Sequence, residues 1–228
     1  MKTDEIVLEE LLQLLSENKM MLFNKIAKER TDYIHVVVEN LYQAHNASAV
    51  LRTCDCYGIQ KMHVIENKNK YKVNHDIALG AGKWVETETH HQGVNPTIEC
   101  IQTLKKKGYK IVATTPHTHD FDIYNVPLKE PIAVFFGTEM DGLSKDVLEE
   151  ADYKVNIPMY GFTESFNISV SAAILLSSLR KRLEASEIEW KLNNDEQTKL
   201  KIKWCIQSLS RGEQIENEIR RRLIEKEL

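Results

Sequence analysis

The chain has 228 residues, 42% hydrophobic and 28% charged, enough for one sizeable α/β domain with short extensions and unlike disordered, collagenous or coiled-coil sequences. A net charge of −4 argues against a protein that wraps nucleic acid by bulk electrostatics, although basic groups cluster at Lys68-Asn69-Lys70, Lys105-Lys106-Lys107, Arg180-Lys181-Arg182 and Arg220-Arg221-Arg222. No apolar run approaches the about 20 residues that span a bilayer, and the acidic start MKTDEIVLEELLQLL is unlike a secretory signal, so a cytoplasmic protein with no membrane association is expected.

From Asp4 to about Arg30 the apolar residues, among them Ile6, Leu11, Leu14 and Leu15, recur mostly at three- and four-residue spacing. This predicts one or two amphipathic helices in an N-terminal extension, residues 1–32. Over residues 33–184 short β-branched runs alternate with helical segments, the signature of an α/β fold with a mostly parallel sheet flanked by helices. The expected strands are Ile34 to Glu39, Lys61 to Glu66, Trp84 to Thr87, Tyr109 to Thr114, Ile132 to Phe136 and Tyr153 to Ile157. Between them, Asn46 is read as the N-cap of a helix stopped by Gly58, Asn95-Pro96 opens a helix closed by Gly108, and Ser144 caps KDVLEEA. A long apolar helix begins near Ile168, and the polar residues 185–228 are read as a C-terminal helical extension.

The four cysteines, at 54, 56, 100 and 205, form no C-x-x-C pair and are expected to be reduced thiols. His90-His91 and His117-x-His119 are joined to no second ligand pair at a recognised spacing, so no metal is expected.

In open α/β sheets, ligands bind beyond the carboxyl ends of the strands. Three segments put small polar loops there. In NLYQAHNASAVLRTCDCYGI, Ala47, Val50, Leu51 and Cys54 share one helical stripe, and Arg52 points roughly opposite, with Ser48 one turn earlier and Asn46 at the helix mouth. A solvated surface arginine is the plain alternative; the neighbouring polar groups favour a functional face. In AVFFGTEMDGLS, a buried strand runs into Gly137, Glu139, Gly142 and Ser144, where glycine lets backbone approach a ligand. This is no G-x-G-x-x-G fingerprint, so a classical dinucleotide site is unsupported. In IPMYGFTESFNISVSAAILLSSLRKR, one cap suffices to start the helix, yet both Ser165 and Asn167 precede it. The shared plan implies loops converging on one pocket.

NASAVLRTCDCYGI, FFGTEMDGLS and IPMYGFTESFNISVSAA resemble, in order and spacing, the three motifs of the SpoU/TrmH family of S-adenosylmethionine-dependent RNA ribose 2′-O-methyltransferases. The resemblance covers about Tyr33 to Leu183. It implies a SPOUT-type fold whose C-terminal segment is threaded as a deep trefoil knot, against the general rule that chains avoid knots. It also implies a homodimer whose active site draws on both subunits. Cofactor loops are implied at Thr114, around Gly137 and from Ile157 to Phe166, their backbone groups holding S-adenosylmethionine. Substrate handling is implied for Asn46, Arg52, Glu139, Ser165 and Asn167, so that one of the two residues before the last helix caps it and the other faces the reaction centre. Phe166 stands where the family usually has leucine, and Cys56-Tyr57 replaces alanine and an apolar residue; an altered pocket wall is expected, not lost activity.

The short terminal helices resemble those of tRNA enzymes that methylate the D-loop guanosine at tRNA position 18, with the Lys105 and Arg220 clusters contacting the tRNA backbone. Methylation of ribosomal RNA, a catalytically silent RNA-binding module and a nucleotide-dependent oxidoreductase are the alternatives. The complete set of five polar residues speaks against the silent module, and the missing glycine fingerprint against the oxidoreductase.

Overall fold

The computed structural model describes residues 3–67, 75–117 and 120–227; the Lys68-Asn69-Lys70 cluster and His119 of the His117-x-His119 pair lie outside them. In chain order the elements are α1 (Thr3–Gln13), α2 (Glu17–Ala27), β1 (Thr31–Glu39), α3 (Ala44–Cys56), β2 (Ile59–Ile65), α4 (His75–Ala78), a 3-10 turn (Ala81–Lys83), β3 (Glu86–His90), α5 (Pro96–Lys106), β4 (Lys110–Thr114), β5 (Phe121–Asp122), β6 (Ile132–Phe136), α6 (Lys145–Glu150), β7 (Tyr153–Asn156), α7 (Ile168–Glu184), α8 (Asn194–Ser208) and α9 (Gly212–Glu227). They fall into two compact units, Thr31–Trp190 and the combination of Met1–Arg30 with Lys191–Leu228.

In the unit built from the two ends of the chain, Ser16 accepts the Lys19 N–H and so starts α2 afresh after α1. A reciprocal capping box between Asn193 and Glu196 starts α8. Val7, Leu8 and Leu11 of α1, Phe23 and Ala27 of α2, and Leu200, Trp204 and Cys205 of α8 are buried together, the helical stripes that the spacing requires. The Arg30 guanidinium, also buried, sits 5.4 Å from the centre of the Trp204 ring. Arg220 meets Asp4 at 2.9 Å and Glu216 at 2.9 Å, Arg221 meets Glu218 at 2.9 Å, and Arg222 meets Glu10 at 2.7 Å. The Arg220-Arg221-Arg222 cluster, expected to seek RNA phosphates, is therefore already matched by carboxylates of its own unit.

In the other unit the described strands form a seven-stranded sheet in the order β3-β2-β1-β6-β4-β7-β5, every pair parallel. A parallel sheet has to be covered on both faces, and the period-two alternation along the central strands supplies two apolar layers. Val36, Val38, Val134 and Phe136 pack with Val50, Leu51 and Cys54 of α3 and with Ala172, Leu175, Leu176 and Leu179 of α7. Val37, Ala133, Phe135 and Ile111 pack on the opposite face with Cys100, Ile101 and Leu104 of α5 and Val147 of α6.

The parallel α/β expectation holds, and Ile132–Phe136 has the expected bounds. The strand expected at Trp84 to Thr87 is displaced to Glu86–His90, because Trp84 and Val85 donate their N–H groups to the Ala81 carbonyl and close the 3-10 turn. The displaced strand, ETETH, lies at the sheet edge and has no apolar residue to betray it. The two-residue β5 is likewise without a sequence signal. Arg180 and Arg182 are also committed to the fold: Arg180 lies 4.2 Å from the Trp190 ring centre and 2.7 Å from Glu184, and Arg182 donates to the carbonyls of Val126 and Ile123.

A chain of polar side chains crosses the face of the sheet under α5. Asp32 Oδ1 lies 2.8 Å from His35 Nε2, His35 Nδ1 3.0 Å from His63 Nε2, and His63 Nδ1 3.0 Å from His90 Nε2. The Tyr109 hydroxyl donates to the Asp32 carbonyl at 2.7 Å. An ionised Asp32 orders the chain: His35 Nε2–H donates to it, and each following Nδ1 accepts from the next ring's Nε2–H. Burial pushes the His63 imidazole down to about 2 and lowers that of His90, so both rings are neutral near neutral pH.

Candidate functional site

The three singled-out segments meet beyond the carboxyl ends of β1, β4, β6 and β7. Asn46 is the expected cap of α3, but the helix starts two residues earlier, with Gln43 at the cap position and no side-chain cap bond. The reason lies in what Asn46 does instead. From the first turn of α3 its buried side-chain NH2 donates to Glu139 Oε1, while its Oδ1 accepts from Asn167 Nδ2 at 3.2 Å. Asn167 in turn caps α7, its Oδ1 accepting the Ser169 N–H at 2.9 Å and the Ser169 hydroxyl at 2.6 Å. Glu139, Asn46 and Asn167 thus form one hydrogen-bonded chain tying the loop after β6 to the starts of α3 and α7.

The loop after β6 is a tight reversal in which Thr138 and Gly142 exchange both backbone hydrogen bonds at 3.0 Å. A Cβ on Gly137 would stand 2.1 Å from the Gly142 carbonyl carbon, so only glycine fits there. Glu39, at the last residue of β1 and buried, anchors the loop's far end: its Oε2 accepts the Ser144 N–H at 2.8 Å and its Oε1 accepts the Thr97 hydroxyl at 2.7 Å. Sequence reasoning passed over Glu39; the available signal was a carboxylate ending an otherwise apolar β-branched run, where an unpaired charge would be costly to bury.

Beside this chain lies a cavity of about 320 Å³, walled by the loops after β4, β6 and β7 and by the start of α7. Thr114, Gly137, Glu139, Ile157, Ser165 and Phe166 all line it. Thr114 is fixed by donating its hydroxyl to the Phe135 carbonyl at 2.8 Å. Asn46, Asn167 and Arg52 are not among the lining residues. Arg52 is exposed on α3 and, six residues after Asn46, lies about 240° around the helix from it. Ser48, read as part of an outward polar face with Arg52, is instead fully buried.

The size of the cavity suits a cofactor-sized ligand. Its described lining carries three carboxylates, on Glu139, Asp141 and Glu164, and no lysine or arginine. Such a wall favours a ligand bearing positive charge and disfavours a pyrophosphate. The apolar side chains of Leu143, Ile157, Met159 and Ile168 supply a complementary surface for flat or aliphatic groups.

Fold and site together define a parallel α/β protein with a cofactor-sized cavity, its described lining rich in carboxylates, in loops beyond the sheet's carboxyl edge. The model of the SpoU rRNA Methylase family matches residues 33–177, and the chain belongs to that family. It is 39% identical, over 91% of its length and 93% of the relative's, to a tRNA (guanosine(18)-2′-O)-methyltransferase of Borreliella burgdorferi. It is 29% identical to the 23S rRNA (guanosine-2′-O-)-methyltransferase RlmB of Neisseria meningitidis, where the match spans 78% of this chain and 65% of the relative. Among solved structures, the Aquifex aeolicus TrmH/SpoU tRNA modifying enzyme superposes with a TM-score of 0.74 at 29% identity, covering 85% of this chain and 98% of that one.

Proposed function

We propose that the protein transfers a methyl group from S-adenosylmethionine to a ribose 2′-hydroxyl of RNA, and that its target is the D-loop guanosine at position 18 of tRNA. The observation that carries the reading is the Glu139–Asn46–Asn167 chain beside a cavity walled by carboxylates. The position of the target rests on the tRNA enzyme of Borreliella burgdorferi, matched over nearly its whole length, whereas the ribosomal-RNA relative extends well beyond the match.

When bound, the cofactor supplies a methyl already activated by its sulfonium charge, so the protein's task is to align the hydroxyl and manage a proton. Thr114, Gly137, Ile157 and Phe166 would hold the cofactor, largely through backbone, and Glu139 would supply negative charge to a sulfonium bound there. Ser165 orients the loop, and Asn46 and Asn167 fix its attachment to α3 and α7. Arg52 clamps the ribose-phosphate and stabilises negative charge developing on the ribose oxygen. We assign Arg52 the clamp and not the alternative role of base, since a guanidinium offers donors and no acceptor.

Arg52 completes the site of a second copy in a homodimer. In support, it points away from its own chain's Asn46, while Met140 and Phe166 of the cavity lining, and Tyr160 and Phe162 of the loop after β7, are exposed, an apolar surface suited to a second copy. The loop from Ile157 to Asn167 and the helix after it form the trefoil knot implied by the family. The methyltransferase domain spans residues 33–184 between helical extensions at 1–32 and 185–228, and the protein works in the cytoplasm. Among the described residues no helix is long and apolar enough to cross a membrane.

Calorimetry with S-adenosylmethionine and with NAD tests the cofactor: binding of the first alone is expected, and binding of NAD alone would overturn the reading. Ribose-methylation mapping in RNA from cells lacking the gene tests the target. Loss at the tRNA D-loop is expected, and loss confined to ribosomal RNA would move the target.

A further inference from the structure

No metal-ligand spacing is visible along the chain, yet the fold brings four potential ligands together at the β2–β3 edge of the sheet, away from the cavity. One ring nitrogen of His63, one of His90 and Cys100 Sγ all lie within 4.8 Å of one another, and His63 Nδ1 stands 3.0 Å from His90 Nε2. Glu88 leans over the same pair of nitrogens, Oε2 standing 3.7 Å from His63 Nδ1 and Oε1 3.8 Å from His90 Nε2. The four groups come from β2, β3 and α5.

We infer that His63, His90, Cys100 and Glu88 form a zinc site. Two imidazoles, a thiolate and a carboxylate are the donor set that zinc takes in tetrahedral geometry, and they suit harder cations such as magnesium poorly. Bond lengths of about 2.0–2.3 Å put tetrahedral ligand atoms about 3.3–3.8 Å apart, so the His63, His90 and Cys100 atoms need to contract by about 1 Å, while the Glu88 oxygens already stand at 3.7 and 3.8 Å from the two imidazoles. The outer partners are in place as well. His63 Nε2–H donates to His35 Nδ1, and His35 Nε2–H donates to Asp32, an arrangement that fixes the tautomer in which His63 Nδ1 carries a lone pair, here accepting from His90 Nε2. A hydrogen-bond ladder alone accounts for the three histidines, but not for a thiol and a carboxylate gathered beside the same two imidazoles. His63 and Cys100 are buried, while His90 and Glu88 are partly exposed and provide the way in.

Protons balance on binding. The proton that His90 Nε2 shares with His63 Nδ1 moves to His90 Nδ1, both freed lone pairs take the cation, and the Cys100 thiol gives up its proton to solvent. One proton is released per zinc. The bound ion ties the edge strand β3 to α5.

The test uses the full chain after chelator treatment, titrated with Zn²⁺ against a chromophoric competitor and with Co²⁺ as a spectroscopic probe. One zinc per chain, release of one proton, and a cobalt spectrum with thiolate charge-transfer and tetrahedral d–d bands are expected. Cys100→Ser should remove the charge-transfer band, and Glu88→Gln should weaken zinc at least several-fold, both with unchanged methyl transfer in zinc-free buffer. If Cys100→Ser fails to fold by circular dichroism, His90→Gln, at a partly exposed position, replaces it and should lower zinc affinity while leaving the fold intact. Absence of stoichiometric zinc binding, an octahedral cobalt spectrum without the thiolate band, or undiminished binding by the folded variants would overturn the proposal.

Discussion

Replacing Asn46 tests the hydrogen-bonded chain that joins the three motif segments. Asn46→Ala removes a donor from the Glu139 carboxylate and an acceptor from the Asn167 amide. A hydrogen bond to a charged group contributes about 1.5–3 kcal/mol and a neutral one about 0.5–1.5. Neither partner is fully buried, so water recovers part of this, and about 2 kcal/mol is the expected loss. If that energy holds the loop in its working position, turnover falls about 30-fold, since each 1.36 kcal/mol is a factor of ten. Because Asn46 does not line the cavity, the dissociation constant for S-adenosylmethionine should change less than about threefold, equivalent to about 0.65 kcal/mol. Asn46→Asp keeps the acceptor for Asn167 but sets oxygen against oxygen at Glu139, and should be at least as damaging. Urea unfolding of Asn46→Ala, Glu139→Ala and the double variant completes a cycle with an expected coupling of about 1–2 kcal/mol. Wild-type turnover in Asn46→Asp, or a coupling below about 0.3 kcal/mol, would refute the reasoning.

The same geometry sets three further outcomes. Arg52→Lys should keep a measurable fraction of turnover and Arg52→Ala almost none, as a clamp requires; equal, total loss in both with RNA binding unchanged would favour a base. Gly137→Ala drives a methyl into the Gly142 backbone and should cost about 3 kcal/mol or more of stability together with cofactor binding, read by thermal melts with and without S-adenosylmethionine; wild-type binding would show that the reversal opens freely. Burial pushes the Cys205 thiol up to about 11, leaving about one thiolate per thousand at pH 8, so a thiol reagent should modify exposed Cys56 first and Cys205 at a rate rising about tenfold per pH unit to pH 10. Rapid modification of Cys205 at pH 8 in the folded protein would contradict that burial.

The central strands and major helices were legible because their burial follows from periodicity: Ile132–Phe136 is apolar throughout because both its faces are covered. The polar edge strand Glu86–His90 was not, since its pairing partner, not its own composition, makes it a strand. At the site, residue types and spacing singled out Asn46, Glu139 and Asn167, but the cap role assigned to Asn46 was wrong. A helix-start asparagine looks the same in sequence whether its amide serves its own helix or a carboxylate 93 residues away. Glu39 and the His63–His90–Cys100 cluster were illegible for a related reason: their partners come from separate strands and helices, and no local spacing records the meeting.

Methyl transfer from labelled S-adenosylmethionine to two otherwise identical tRNAs, one with guanosine and one with 2′-deoxyguanosine at position 18, bears most directly on the proposed reaction. One methyl per tRNA is expected on the first and none on the second. Equal labelling of both, or labelling of neither, would contradict it.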